Sequence, residues 1–305
     1  MTAAIATEGL TKSYGSLKAL DNVSLNIEPG ELFGLIGPDG AGKSTLHRIL
    51  ATLLKPDAGI ATVLGLDVVR DYHQLRDRIG YMPERFSLYQ DMTVMENLRF
   101  FASLFGVNIS DSYPLIAPVF RQLAKFPDRM AGKLSGGMKQ KLALSCALIH
   151  RPEILLLDEP TTGVDAVSRS EFWDMLGSLR EKGITIIVST SYMDEATRCG
   201  RIAVIDKGRV LAAGTPDALT RHMRGRLYDA VASDMFGLLT CLRKMPEIID
   251  CYTFGSTLHL NTTDRFDPAW TIGRLKAEGI ADARIFPATP EIEDIFIQLT
   301  RDDEK

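Results

Sequence analysis

From Ile5 to about Arg221 the chain alternates between short apolar runs and longer amphipathic stretches. Leu32–Ile36 and Ile154–Leu157 are apolar at every position, which predicts strands buried on both faces, as in a parallel sheet covered by helices. Further strands are predicted at Ile5–Leu10, Val23–Ile27, Ile184–Ser189, Arg201–Asp206 and Arg209–Ala213. Pro29-Gly30 reads as a turn, and Asp206-Lys207-Gly208-Arg209 as a hairpin whose Gly supplies a positive φ. Between Thr93 and His150 the spacing is helical instead. Thr93-Val94-Met95-Glu96 fits a capping box, and Leu98, Phe101, Ala102 and Phe105 then line one apolar face. Residues 1–221 are therefore expected to form an α/β domain carrying a helical subdomain over about residues 93–150.

Past residue 222 the rhythm changes. Strands are expected at Leu227–Ser233, Ile248–Phe254, Thr257–Asn261 and Ala283–Phe286, with helices at Phe236–Lys244 and Trp270–Glu278. The order βαββαβ suggests a small ferredoxin-like α+β domain over residues 222–305. Thr289-Pro290-Glu291 opens a last helix, with Pro at its first position.

Composition narrows the class without choosing the chemistry. The 305 residues are 45% hydrophobic and 24% charged, ordinary for globular domains, and the net charge of -4 argues against a nucleic-acid partner, which would call for a basic face. Four scattered cysteines (Cys146, Cys199, Cys241, Cys251) lack CxxC spacing and read as free thiols in a reducing cytosol. No apolar run approaches the roughly 18–20 residues of a membrane span, and Met1–Leu10 has no signal-peptide pattern. A soluble chain is expected, reaching a membrane only through a partner.

Gly37-Pro38-Asp39-Gly40-Ala41-Gly42-Lys43-Ser44 fits G-x-x-x-x-G-K-[ST] and sits between the strand Leu32–Ile36 and a helix-compatible segment beginning at Thr45. Strand, glycine loop and helix make a phosphate cradle: loop N–H groups converge on an anion, and the helix N-terminus adds about half a positive charge. Lys43 then reaches the β- and γ-phosphates and Ser44 offers its hydroxyl to Mg²⁺. Ile154–Leu157 ends in Asp158-Glu159, at the strand end where α/β folds bind ligands. Asp158 is placed to hold the Mg²⁺ shell, and Glu159 to polarise a water for attack on the γ-phosphate.

Leu134-Ser135-Gly136-Gly137-Met138-Lys139-Gln140 precedes these carboxylates by one helix-like stretch. The combination resembles the ATP-binding subunits of ABC transporters over essentially all of residues 5–220. The resemblance implies a P-loop ABC-type nucleotide-binding domain that binds ATP and Mg²⁺. In detail the chain looks like exporter ATPases with a separate permease: Pro290–Ile297 is similar to the carboxy-terminal signature of that group. Gly80-Tyr81-Met82-Pro83 with Phe86–Tyr89, and Ser189–Ala196, look like one half of its tandem two-ATPase subunits. The resemblance further implies that Ser135, Gly136 and Gly137 close over ATP held by an opposite ATPase subunit, in a homodimer or a heterodimer. It implies that Tyr14 stacks on adenine, that Asp165 lies in the loop communicating between the two sites, and that residues 84–89 couple nucleotide state to a transmembrane permease. Phe86, Leu88 and Tyr89 would there face the partner, with core packing as the alternative. The chain would act peripherally, on the cytoplasmic face of the cell membrane.

Two positions depart from the family pattern. Glu84 stands where Gln is usual; its carboxylate can still ligate Mg²⁺, but it adds negative charge near the triphosphate, and two charges about 4 Å apart interact by about 4 kcal/mol at an effective dielectric near 20. Ser191 stands where most relatives carry a histidine on the γ-phosphate, and loss of one such contact typically costs about 10²–10³ in rate. Asp39, where Asn is frequent, is a minor change with its side chain facing away from the phosphates. The main expectation is a MgATP hydrolase that energises a separate permease for export; the alternative is a catalytically weak nucleotide-binding partner of a second, competent ATPase.

Overall fold

The computed structural model describes residues 3–303, and the chain separates into two compact units whose boundary in sequence falls between residues 216 and 217. The first unit opens with a hairpin, β1 (Ile5–Tyr14) and β2 (Leu17–Ile27), followed by β3 (Leu32–Ile36), α1 (Lys43–Leu50), β4 (Ala58–Val63), β5 (Leu66–Asp67), α2 (Tyr72–Arg76) and β6 (Ile79–Met82). The helical stretch holds α3 (Val94–Leu104), α4 (Ile109–Phe120) and α5 (Gly136–Ala147). Then come β7 (Ile154–Asp158), α6 (Ala166–Glu181), β8 (Thr185–Thr190), β9 (Arg201–Asp206) and β10 (Arg209–Gly214). The second unit holds nearly all of α7 (Pro216–Arg221) and then β11 (Arg226–Val231), α8 (Met235–Leu242), β12 (Ile248–Phe254), β13 (Thr257–Thr262), α9 (Pro268–Ala277), β14 (Arg284–Pro287) and α10 (Ile292–Asp303).

The uninterrupted apolar runs become the middle of the first unit. β3, β7 and β8 are buried at every residue and lie together in a six-stranded sheet of order β10-β9-β3-β8-β7-β6. All its pairs are parallel except β10 with β9. That last pair turns on Lys207 and Gly208, both at positive φ, as a tight two-residue hairpin requires. Leu35, Leu46, Ile49, Leu156, Ile187 and Ala203 share one core with residues of β1, β2 and β4, so α1 is held between this sheet and a smaller antiparallel one of order β2-β1-β4-β5. The capping box forms as the sequence predicts: Thr93 Oγ1 accepts from Glu96 N at 3.2 Å, and Glu96 Oε2 accepts from Thr93 N at 2.8 Å.

Strands β4, β5 and β6 have no counterpart among the predicted elements. β4 is exposed over its first half, β5 has two residues and β6 four, so none carries a long apolar or alternating signature. β1 runs on to Tyr14 because irregularities in its pairing absorb Gly9 and its neighbours, which breaks the period-two pattern seen in sequence. α10 begins at Ile292, two residues after Pro290.

In the second unit the antiparallel sheet runs β12-β13-β11-β14. Ala230, Cys251, Leu258 and Leu260 on its strands pack in one core with Leu238 and Leu242 of α8 and Leu275 of α9. Asp229, His259 and Tyr252 are direct cross-strand neighbours on adjacent strands. Asp294 of α10 joins this polar row, taking His259 Nδ1 at 2.6 Å, the Tyr252 hydroxyl at 2.5 Å and Glu291 N at 2.7 Å. Asp294 is buried, so nothing from solvent can replace it. Leaving a buried hydrogen-bonding group without its partner typically costs about 1–3 kcal/mol, and Asp294 serves more than one. Asp294→Ala is expected to lower stability by at least about that amount in equilibrium urea unfolding of the chain; an unshifted curve would show that the row does not anchor the helix.

Candidate active site

The loop from Gly37 to Gly42 owes its course to its glycines. Gly40 and Gly42 have φ of 81° and 105°, where a side chain is strained. A Cβ at Gly42 would lie 2.3 Å from the Ala19 carbonyl oxygen, and one at Gly37 2.1 Å from that of Ile205. Ala41 N donates to Pro38 O, and Ala41 O accepts from Gly208 N of the β9–β10 turn. Ala41 is buried, whereas Asp39 and Gly40 at the tip are exposed. α1 starts at Lys43 with Ser44 and Thr45 in its first turn, so its unpaired N–H groups face the loop.

The side chains meet at the C-terminal ends of β3, β8 and β7. Lys43 is buried; its Nζ donates to Gly37 O at 2.6 Å and Pro38 O at 2.9 Å, and pairs with Glu159 Oε1 at 2.9 Å. Ser44 Oγ donates to Asp158 Oδ1 at 3.0 Å. Ser189 Oγ donates to the same oxygen at 2.7 Å while accepting from Glu159 N at 3.0 Å. Glu159 has a left-handed φ of 49°, uncommon for a residue with a side chain, and its Oε2 accepts from Thr162 Oγ1 and from Ser191 N, both at 3.2 Å. Ser191 thus meets the carboxylate through its backbone N–H.

Gly37–Thr45, Asp158, Glu159 and Ser191 are brought together; the other predicted site residues stand elsewhere. Tyr14 is 46% exposed, opposite Leu17 in the hairpin whose Ala19 abuts Gly42. Glu84 is exposed just beyond β6. Its charge is felt at Tyr81, whose hydroxyl is pushed up to about 12 by burial first, then by Asp158, with Glu84 adding less and Arg48 opposing. Ser135 caps α5 by accepting from Met138 N at 3.3 Å. Ser135 and Gly136 are exposed, while Gly137 is buried so closely that a Cβ would meet Ser168 at 2.7 Å. Asp165 caps α6 through Ser168 N at 3.0 Å, and that N–H holds its carboxyl below the usual range. Ser135, Gly136 and Asp165 therefore form a second, exposed surface made of two helix starts, with Gly137 packed beneath it. Of the residues between 84 and 89, Leu88 is buried, Phe86 half-buried and Tyr89 exposed against Phe100.

Sequence reasoning did not single out Ser189, Thr162, Thr161, Thr190 or Glu195. The serine and threonines share one sequence signal, position: hydroxyls at or just beyond the ends of buried strands, where an apolar run gains nothing from them.

The sequence pattern of the ABC transporter family matches residues 20–162. The chain is 42% identical over 304 residues to the probable multidrug ABC transporter ATP-binding protein YbhF of Escherichia coli (strain K12), covering 97% of this chain and 52% of that protein, so it spans about half that relative's length. It is 37% identical over 303 residues to the Nod factor export ATP-binding protein I of Mesorhizobium japonicum, covering 98% of this chain and 87% of the relative. Among solved structures, an ATP-binding subunit of an ABC transporter superposes with a TM-score of 0.65 at 28% identity, over 72% of this chain and 92% of the other. A dimeric ATP-binding cassette in a post-hydrolysis state bound to ADP and Pi superposes at 0.63 and 27%, over 69% and 98%. The chain belongs to the ATP-binding subunits of ABC transporters.

Gly42→Ala is expected to force the loop off Ala19 at a strain of about 1–3 kcal/mol. ATP affinity measured by calorimetry should fall, and unchanged affinity would show that this loop does not shape the nucleotide site.

Proposed function

We propose that this transport ATPase binds ATP on the Gly37–Thr45 cradle and hydrolyses it with Glu159 as the residue that polarises water, driving export through a separate permease. The observation that carries the reading is the meeting of Lys43, Ser44, Asp158 and Glu159 around one glycine loop. Lys43 is paired with Glu159 and donates to two loop carbonyls. A triphosphate offers Lys43 a stronger partner, since it carries several negative charges where Glu159 carries one. Exchange of Lys43 from Glu159 to phosphate leaves the carboxylate free to orient a water, still held by Thr162 Oγ1 and Ser191 N. Ser44 Oγ and Asp158 Oδ1 already touch, and hard oxygen donors of this kind suit Mg²⁺ held by one or two protein groups together with phosphate. Bound there, Mg²⁺ would neutralise charge developing on the β- and γ-phosphate oxygens. Glu84 is a further candidate oxygen ligand for it.

The exposed helix starts at Ser135-Gly136 and Asp165 support completion of each site by a second ATPase domain, from another copy or a related chain. Unpaired N–H groups at such a start are an anion site offered outward. Tyr14, exposed on the hairpin beside Gly42, is the candidate platform for adenine.

Among the described residues no helix is long and apolar enough to cross a membrane. A permease surface is supported by a cleft of about 430 Å³ whose lining includes Leu53, Met82, Phe86, Leu88, Leu104 and Phe105. Lys139 of α5 lies over the Phe86 ring, 5.6 Å from its centroid, tying α5 to that cleft. The chain would then work peripherally at the cytoplasmic face of the membrane.

A second reading, a nucleotide-binding partner with weak catalysis, is favoured by Ser191, which offers Glu159 a backbone N–H and no imidazole. Steady-state MgATP hydrolysis by the purified chain separates the two. Turnover abolished by Glu159→Gln supports the working ATPase; ATP binding without turnover in either protein supports the weak partner. Ser191→His is expected to raise turnover several-fold, and no change would show that the position is not limiting. Leu104→Glu is expected to leave basal hydrolysis intact and to abolish stimulation by the co-expressed permease; retained stimulation would place docking elsewhere.

A further inference from the structure

Glu195 is a buried carboxylate, 3% exposed, with no part in the chemistry derived above. It lies in the 3-10 turn Met193–Arg198 that follows β8. Its Oε2 accepts from Thr190 Oγ1 at 2.6 Å and from Thr161 Oγ1 at 3.2 Å. Thr190 ends β8, and its hydroxyl also accepts from Tyr192 N at 3.0 Å, so one side chain fixes the residues on both sides of Ser191. Thr161 lies two residues after Glu159 on the loop leading to Asp165. Arg169 of α6 approaches Glu195 Oε1 at 3.8 Å and stacks over Tyr192.

We propose that Glu195 is a positioning residue for hydrolysis: it ties the Ser191 segment to the Glu159 loop so that Ser191 N holds the Glu159 carboxylate. The inference rests on the hydrolytic reading. A carboxylate suits the task because a single oxygen accepts two hydroxyl donors, and an apolar residue would leave both buried hydroxyl protons without this acceptor. In this chain the tie carries particular weight, since residue 191 reaches Glu159 by backbone and a backbone donor is aimed only by the segment that carries it. Glu159 itself sits at a left-handed φ, a conformation that persists where its surroundings over-determine it.

Glu195→Ala, Glu195→Gln and Thr161→Val are compared in the full chain. Gln keeps an oxygen for both threonines; Val keeps the shape of Thr161 and cuts only the link to the Glu159 loop. Glu195→Ala is expected to lower kcat by about 10²-fold, as a small misplacement of a catalytic group does, with KM for ATP unchanged. Glu195→Gln should restore turnover, and Thr161→Val should lose part of it. A kcat loss equal in Gln and Ala, or a loss of ATP binding in step with kcat, would overturn the proposal. Amide hydrogen exchange is read beside it: residues 159–164 and 190–192 should exchange faster in Glu195→Ala and Thr161→Val but not in Glu195→Gln. Unchanged exchange in the Ala and Val variants overturns the tie even if the wild-type chain turns over no ATP, whereas silent wild type with altered exchange counts against the hydrolytic reading alone.

Discussion

The register of three neighbouring strands decides where the chemistry stands. Ile36 of β3 is beside Thr190 of β8, and Ser189 is beside Asp158 of β7, so three chain segments leave the sheet at one level. The glycine loop leaves the first, the Ser191 segment the second and the Glu159 loop the third. Gly37 N donates to Thr190 O, and Ser189 Oγ spans Asp158 and Glu159, so hydrogen bonds lock the level that the register creates. A shift of one residue would turn each side chain to the opposite face. The complete burial of these strands opposes such a slip, because every position would have to find a new fit in a close-packed core.

What could be read from the sequence follows the same physics. Burial on both faces leaves an uninterrupted apolar run, and Leu32–Ile36 appears with the limits it has in the structure. Caps and phosphate loops are local, so Thr93-x-x-Glu96 and Gly37–Ser44 were also legible. The short and half-exposed strands β4 to β6 were not, because pairing with neighbours distant in sequence makes them strands. The hydroxyl groups of Thr161, Thr190 and Ser189 were hidden for a related reason. Their partners lie 34, 5 and 31 residues away in the chain, and no spacing rule marks a threonine that donates to a buried carboxylate.

The two departures from the family pattern differ in depth. Glu84 is exposed, and its charge reaches inward only as one of several influences on Tyr81. Ser191 is half-buried within the hydrogen-bonded level itself and meets Glu159 directly. Solvent screens the first far more than the second, so change at position 84 adjusts the surroundings of the site while change at 191 alters one of its contacts.

The buried pair between Lys43 and Glu159 has a consequence for affinity. A tethered anion 2.9 Å from the lysine acts as an intramolecular competitor, present at the high effective concentration that tethering confers and never diluted away. On the proposed reading, a phosphate entering the loop would have to displace this carboxylate from Lys43. A singly charged anion would gain little by the exchange, whereas a triphosphate with many oxygens for the loop N–H groups would gain much. On that reading the pair would discriminate by ligand charge.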